Sequence, residues 1–216
     1  RDSLKYRSIY GLDDVLTLYR GTIRRVGYSK AWNMFVQLGM TDDSYVMDGS
    51  ETMTYRQFMN SFLPYHPTDS VEIKTRLILK IDQDDNMWDK LVELDLFNSN
   101  KIVGLKDATP AQILQKILSD KWTLEENDKD MIVMYHKFGY ELNGIKSQID
   151  SKMVSIGEDQ TYTAMAKTVG LPVAMATLLI LNGKIQTKGV QLPIRKEVYE
   201  PILKELEDHG IVFKEE

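Results

Sequence analysis

The pattern of hydrophobic and polar positions changes period along the chain. From Asp14 to Ile23, Val15, Leu16, Leu18, Tyr19 and Ile23 surround Thr17 and Gly21, which predicts a strand ending in Arg24, Arg25 and Gly27. Ser29 is then the candidate N-cap of a helix carrying Trp32, Phe35, Val36 and Gly39 at helical spacing. Four further helical segments and no strand are expected before Trp122. Thr54 with Gln57 and Thr109 with Gln112 have the spacing of capping boxes, and Pro110 falls at a first helical position, where its missing N–H costs nothing. Ile73, Leu77 and Ile81 share one helix face, Trp88, Leu91 and Val92 a second, and Ile113, Leu114, Ile117 and Leu118 a third. The acidic run Asp82 to Asp85 reads as the loop between two of these helices.

Beyond Asp130 the pattern changes again. Asp130 to Phe138 and Ile145 to Ile156 are apolar-rich and flank Asn143 and Gly144, the dipeptide a two-residue hairpin turn favours. A long helix is expected from about Tyr162 to Leu181, with Met165, Val169, Pro172, Ala176 and Leu179 on one side and a kink at Gly170 and Pro172. A last helix from Val198 to His209 stops at Gly210, and Ile211 to Phe213 read as a short final strand. A helical block between strands that share one sheet makes the class α/β, of the α+β kind: a mixed sheet with a hairpin and packed helices, interrupted by an all-helical insertion. The expected domains are 1–28 with 123–216, and 29–122.

Composition narrows the function classes. The 216 residues, 43% of them hydrophobic, are enough to bury a core. A net charge of -5 and a pI near 5.3 disfavour nucleic acid and acidic membrane surfaces as partners. No cysteine occurs, which excludes disulfides, thiolate zinc sites and cysteine nucleophiles, and His66, His136 and His209 lie too far apart in sequence to suggest a metal site. The longest apolar run, Leu171 to Leu181, is interrupted by Pro172 and falls short of the ~18 residues of a membrane span. The chain opens on Arg1, and the expectation is a piece of a longer protein.

Dinucleotide binding needs glycines at close spacing after a strand, so that the backbone can approach the pyrophosphate. Here no two glycines stand two residues apart, and no Gly-Lys-Ser or Gly-Lys-Thr occurs. Arg20, Gly21, Thr22, Ile23, Arg24 and Arg25 do place guanidinium groups and a hydroxyl together, a set that can hold carboxylates by forked hydrogen bonds or simply form surface ion pairs. His136 could act as a general base or sit in the structure with a hydrogen-bond partner, and strand alternation puts Tyr135 and Lys137 on the face opposite to it. The start of the Tyr162 to Leu181 helix offers N–H groups suited to an anion.

Several stretches resemble the glutamate-forming saccharopine dehydrogenase family. Arg1-Asp2-Ser3 matches the end of that family's Asn-Arg-Asp-Ser, and Arg20-Gly21-Thr22-Ile23-Arg24 matches its Arg-Gly-Thr-Leu-Arg with Ile for Leu. Asp130, Met131, Ile132 and His136 to Gly139 look like its hairpin, Met165 to Pro172 like its Met-Ala-Lys-Thr-Val-Gly-Leu-Pro, and Tyr199, Pro201 and Ile202 like its closing helix. The resemblance implies a substrate-side portion, an α/β domain with an all-helical domain, separated from a Rossmann half that binds NAD or NADP. It implies oxidation of saccharopine to glutamate and 2-aminoadipate 6-semialdehyde, or the reverse, in lysine metabolism. The substrate-binding positions it implies are Arg1, Thr22, Ile23 and Arg24; a catalytic acid or base is not among them. It further implies a small amino-acid substrate, a cytoplasmic enzyme (mitochondrial if fused as in animals) and a homodimer. The alternatives are a related oxidoreductase acting on another amino-acid conjugate, and a non-catalytic module whose helical block mediates association.

Overall fold

The computed structural model describes residues 4–216, which divide into two compact units: Arg24–Thr123, and Leu124–Glu216 together with the segment that ends at Ile23. The first of these is helical: α1 (Tyr28–Leu38), α2 (Tyr55–Asn60), α3 (Val71–Leu79), α4 (Asn86–Glu93) and α5 (Pro110–Trp122). Both capping boxes form. Thr54 Oγ1 accepts the Gln57 N–H at 3.1 Å while Gln57 Oε1 accepts the Thr54 N–H at 2.8 Å, and Thr109 and Gln112 repeat the exchange at 3.3 and 2.9 Å, with Pro110 opening α5. The acidic run is a loop whose last member, Asp85, caps α4 by accepting the Met87 N–H at 2.8 Å.

The core of this unit gathers Phe35, Phe58, Met59, Leu91, Leu96, Val103, Ile113 and Ile117. All four positions of the α5 stripe are buried. The α3 stripe turns out otherwise: Ile73 and Leu77 face solvent, while Val71, Lys74, Thr75 and Leu79 are buried. Two hydrogen bonds make that inversion tolerable, since Lys74 Nζ donates to Asn60 Oδ1 at 2.5 Å and Thr75 Oγ1 donates to the Val71 carbonyl at 2.7 Å. Within the described residues the block holds only one isolated bridge, Thr54 with Ile102, in place of a sheet.

The other unit contains β1 (Met131–Leu142), β2 (Ile145–Ile156), α6 (Ala164–Leu181), α7 (Lys196–Asp208) and β3 (Lys214–Glu215). The hairpin closes as the sequence implies: Leu142 pairs with Ile145 across Asn143 and Gly144, whose φ of 54° and 80° give the left-handed turn that matches strand twist. The sheet runs β1-β2-β3 and is antiparallel throughout. One face packs against α6 and α7 through Ile132, Met153, Met175, Leu179, Ile202 and Leu206.

Four sequence expectations are corrected. Residues from Asp14 to Ile23 form no strand, and no residue between Leu4 and Tyr28 joins the sheet; Leu16 and Tyr19 are almost wholly exposed, so the alternation has nothing to pair with or pack on. Helix α1 starts after Gly27, not Ser29, because the φ of 88° at the N-cap is open to glycine. The final strand is Lys214–Glu215 rather than Ile211 to Phe213, since Ile211 is drawn into the core instead. Finally, α6, which runs through Pro172 as expected, is by length and composition apolar enough to cross a membrane, a longer stretch than the Leu171 to Leu181 run, because Lys167 is the one charged residue that Ala164 to Gly170 adds to it.

Candidate functional site

The stretch Arg20 to Arg24 has irregular backbone, so its side chains are held by their own contacts and not by a sheet. In the sheet-bearing unit, the guanidinium carbon of Arg20 lies 5.7 Å from the centroid of the Tyr6 ring, and Tyr6 stacks on Tyr10 with centroids 5.8 Å apart. Arg7 shapes the loop that carries these rings. Its Nε donates to the Leu12 carbonyl at 3.0 Å and its Nη2 donates to the carbonyls of Asp13 and Val15, while the Ser8 hydroxyl donates to Asp13 Oδ1. Sequence reasoning missed Arg7, and no spacing could have revealed it, because its acceptors are backbone oxygens.

In the helical unit, Arg24 stacks in the same manner. Its guanidinium carbon is 5.2 Å from the Tyr28 ring centroid; Tyr28 lies parallel to Trp32 with centroids 6.0 Å apart, and Trp32 meets Phe35 edge-on at 5.7 Å. Thr22 and Ile23 are exposed and end the N-terminal segment of the sheet-bearing unit; Arg24, also exposed, opens the helical unit. Arg1 lies outside the described residues. The chain itself therefore brings Thr22, Ile23 and Arg24 together as neighbours in sequence.

A cation stacked on a ring face interacts through the face of the guanidinium, while a carboxylate fork is matched by the in-plane N–H edge of that group. Guanidinium groups and a hydroxyl such as that of Thr22 are residue types that can donate hydrogen bonds to anions.

The other candidates separate from it. His136 is exposed, its ring parallel to Phe138 at 6.1 Å and tilted against Phe213 at 5.9 Å, which is a packing role. Tyr135 points to the opposite face, where its hydroxyl donates to Asp150 at 2.9 Å; that bond holds the Tyr135 pKa above and the Asp150 pKa below their ordinary ranges. The anion-ready start of α6 is already filled from within the chain: Asp130 accepts the N–H groups of Ala164 at 2.5 Å and Met165 at 2.8 Å, beside the Thr163 cap. Among the described residues no group of His, Asp and Glu is arranged to hold a metal. The strongest pKa perturbations lie within the helical unit. The Arg56 guanidinium holds Glu72 down at about 2, and burial with a hydrogen bond to Asp120 pushes Tyr55 up to about 12.

Among known proteins, the chain is 35% identical to the mitochondrial alpha-aminoadipic semialdehyde synthase of Rattus norvegicus over 220 residues, covering 99% of this chain and 23% of that protein. It is 32% identical over 226 residues to the NADP(+), L-glutamate-forming saccharopine dehydrogenase of Saccharomyces cerevisiae, covering all of this chain and 49% of the relative. The alpha-aminoadipic semialdehyde synthase of Arabidopsis thaliana is 28% identical, again over the whole chain and 22% of the relative. The chain spans about half the length of the yeast relative and under a quarter of the rat and plant ones. The family model that matches residues 1–211 is that of the saccharopine dehydrogenase C-terminal domain, and the chain belongs to that family.

Proposed function

We propose that this chain is the substrate-binding portion of a saccharopine dehydrogenase, an NAD(P)-dependent oxidoreductase of lysine metabolism. The reaction oxidises the secondary amine of saccharopine and releases glutamate and 2-aminoadipate 6-semialdehyde, or runs in reverse. Saccharopine carries three carboxylates, so arginine forks are the natural anchors for it. In this reading Arg24 grips a carboxylate, Thr22 and the Ile23 backbone line the same stretch, and Arg1 adds a second guanidinium. The observation that supports it most is the exposed Arg20-Gly21-Thr22-Ile23-Arg24 segment, with both arginines stacked on tyrosines, in a chain of this family.

The described residues do not fit the nicotinamide nucleotide. Their strands are antiparallel, and at the junction of β2 with α6 the helix's leading N–H groups are taken by Asp130. The nucleotide belongs, in this proposal, to the part of the protein that the relatives carry beyond this chain. The same division gives a use to the exposed apolar positions Leu16, Tyr19, Met131 and Ile156, which suit burial against that remainder.

The test is steady-state kinetics of Arg24→Lys in the complete enzyme, beside Arg25→Lys. Lysine keeps the charge and loses the fork. Losing one charged hydrogen bond is worth roughly 1.5–3 kcal/mol, a fall in kcat/KM for saccharopine of about tenfold to a hundredfold. Unchanged activity in the Arg24 variant, or loss only in the Arg25 variant, overturns the assignment.

A further inference from the structure

Helix α3 buries polar side chains while it exposes apolar ones. Lys74 and Thr75 are inside, each with a hydrogen bond of its own, whereas Ile73 and Leu77 stand one turn apart in solvent at 40% and 65% exposure. Helical spacing sets Arg76 beside them on the outward face. Arg76 is half-buried, and its guanidinium carbon lies 5.6 Å from the centroid of the Trp88 ring. Trp88 is itself buried, with its ring 4.9 Å from that of Phe97, so the cation rests on a fixed aromatic floor. Its Nε is buried with no hydrogen-bond partner, and none of the ion pairs among the described residues includes it. Glu72, one turn back, is the acid that helical spacing offers, but both its oxygens are held by Arg56, at 2.5 and 2.9 Å. A partly desolvated guanidinium with no carboxylate beside it leaves its charge uncompensated.

We infer that Ile73, Arg76 and Leu77 form a docking surface, covered in the complete protein by a segment of the same polypeptide that lies outside this chain and presents aliphatic side chains beside an Asp or Glu. Aliphatic residues next to an arginine backed by tryptophan have the make-up of an interface centre. Charge complementarity sets the acid, since the cation of this face has no partner of its own. Length sets the source: this chain spans 49% of the yeast relative, so the remainder is tethered to it and meets the face at high effective concentration, whereas a separate protein must arrive by diffusion. The inference rests on reading the chain as one portion of a longer dehydrogenase. It goes beyond that reading because it assigns the helical unit an interaction surface and states the chemistry of what covers it.

The experiment is photo-cross-linking in the complete enzyme, with benzoylphenylalanine in place of Leu77 and mass spectrometry of the joined peptides. The main product should be a link within one polypeptide to a peptide outside these 216 residues that carries an Asp or Glu. Arg76→Met, which keeps the apolar stem and removes the charge, should lower the yield of that link by about threefold or more. A product of doubled mass on a denaturing gel, a link to a different protein, a link only to residues of this chain, or no link at all overturns the inference. So does an Arg76→Met enzyme that links as well as the parent. If the probe at Leu77 prevents folding, the same probe at Ile73 takes its place. Turnover of saccharopine by the unmodified complete enzyme keeps the two readings apart: an active enzyme with no external link sinks the docking surface alone, and an enzyme inactive on saccharopine that still gives the link sinks the proposed reaction alone.

Discussion

The helical unit and the sheet-bearing unit solve the problem of burial differently. In the helical unit Phe58, Met59, Leu91, Leu96, Ile113 and Ile117 are cut off from solvent, and the buried Ser50 is tied in: it donates to the Leu105 carbonyl at 2.7 Å and accepts the Ala108 N–H at 3.1 Å. In the other unit the core is the smaller set around Met153, Met175, Leu179 and Leu206. Its sheet has helices on one face; on the other, Met131 pairs with Ile156 and Val133 with Val154, and all four are exposed. Along α6, Met165, Val169, Val173 and Ile180 form a second exposed stripe. A helix needs cover on one stripe, whereas a sheet has two faces, and the described helices of this unit cover one of them.

That contrast is broken or sharpened first by core truncation. Phe58→Ala, at a site with no solvent contact, should cost about 3–5 kcal/mol in urea unfolding, the range for large-to-small changes in a closed core. Val133→Ala, on the open sheet face, should cost no more than ~0.5 kcal/mol. Equal losses at the two positions would mean that the sheet face is covered after all.

A smaller effect tests how the sheet-bearing unit holds together without a large core. Gly157 follows β2, and its N–H donates to the Asp130 carbonyl at 2.9 Å, while the Asp130 carboxylate reaches over it to the first N–H groups of α6. A Cβ on Gly157 would run into that carboxylate and sit 2.8 Å from the Ala164 backbone nitrogen. Gly157→Ala should therefore destabilise by about 1–3 kcal/mol, the usual range for overpacking, as read by thermal unfolding. Asp130→Asn, which keeps the shape but drops the charge, should cost less. If Gly157→Ala is neutral, the clasp between Asp130 and α6 does not limit stability.

Sequence carried the helical unit well because its signals are local. Thr54, Gln57, Thr109, Gln112 and Pro110 act within one turn, and Asn143-Gly144 fixes its hairpin through its own dihedral angles. What failed depended on partners distant in sequence. Residues Asp14 to Ile23 alternate like a strand, but a strand exists only if another lies beside it. The α3 stripe inverted because Lys74 found Asn60, and the anion site foreseen at α6 is filled by Asp130, more than thirty residues upstream. Of the candidate site, the Arg-Gly-Thr-Ile-Arg match was legible, while the stacking of Arg20 on Tyr6 and Arg24 on Tyr28 was not, since it depends on turns in irregular backbone.

The smallest expected effect concerns charge. In the helical unit Arg56 grips Glu72 with both Nη atoms, at 2.5 and 2.9 Å, and Nη1 also donates to the Phe97 carbonyl at 3.1 Å. This holds the Glu72 pKa at about 2 against an ordinary 4.5. The folded-state pKa is the lower one, so the pair stabilises above about pH 4.5 and the contribution disappears as pH falls toward 2. Both side chains are about a third exposed, and water screening brings the value down to about 1 kcal/mol or less. Wild type minus Glu72→Gln, from unfolding at several pH values, should show that difference near neutrality and lose it in strong acid. On the sheet, Asp150 is also held low by the Tyr135 hydroxyl, but it stands in open solvent, so Asp150→Asn should leave the pH profile unchanged. A pH-independent gap for Glu72→Gln, or a profile for Asp150→Asn as steep as that for Glu72→Gln, would show that the two units do not differ in how far they shield their charges.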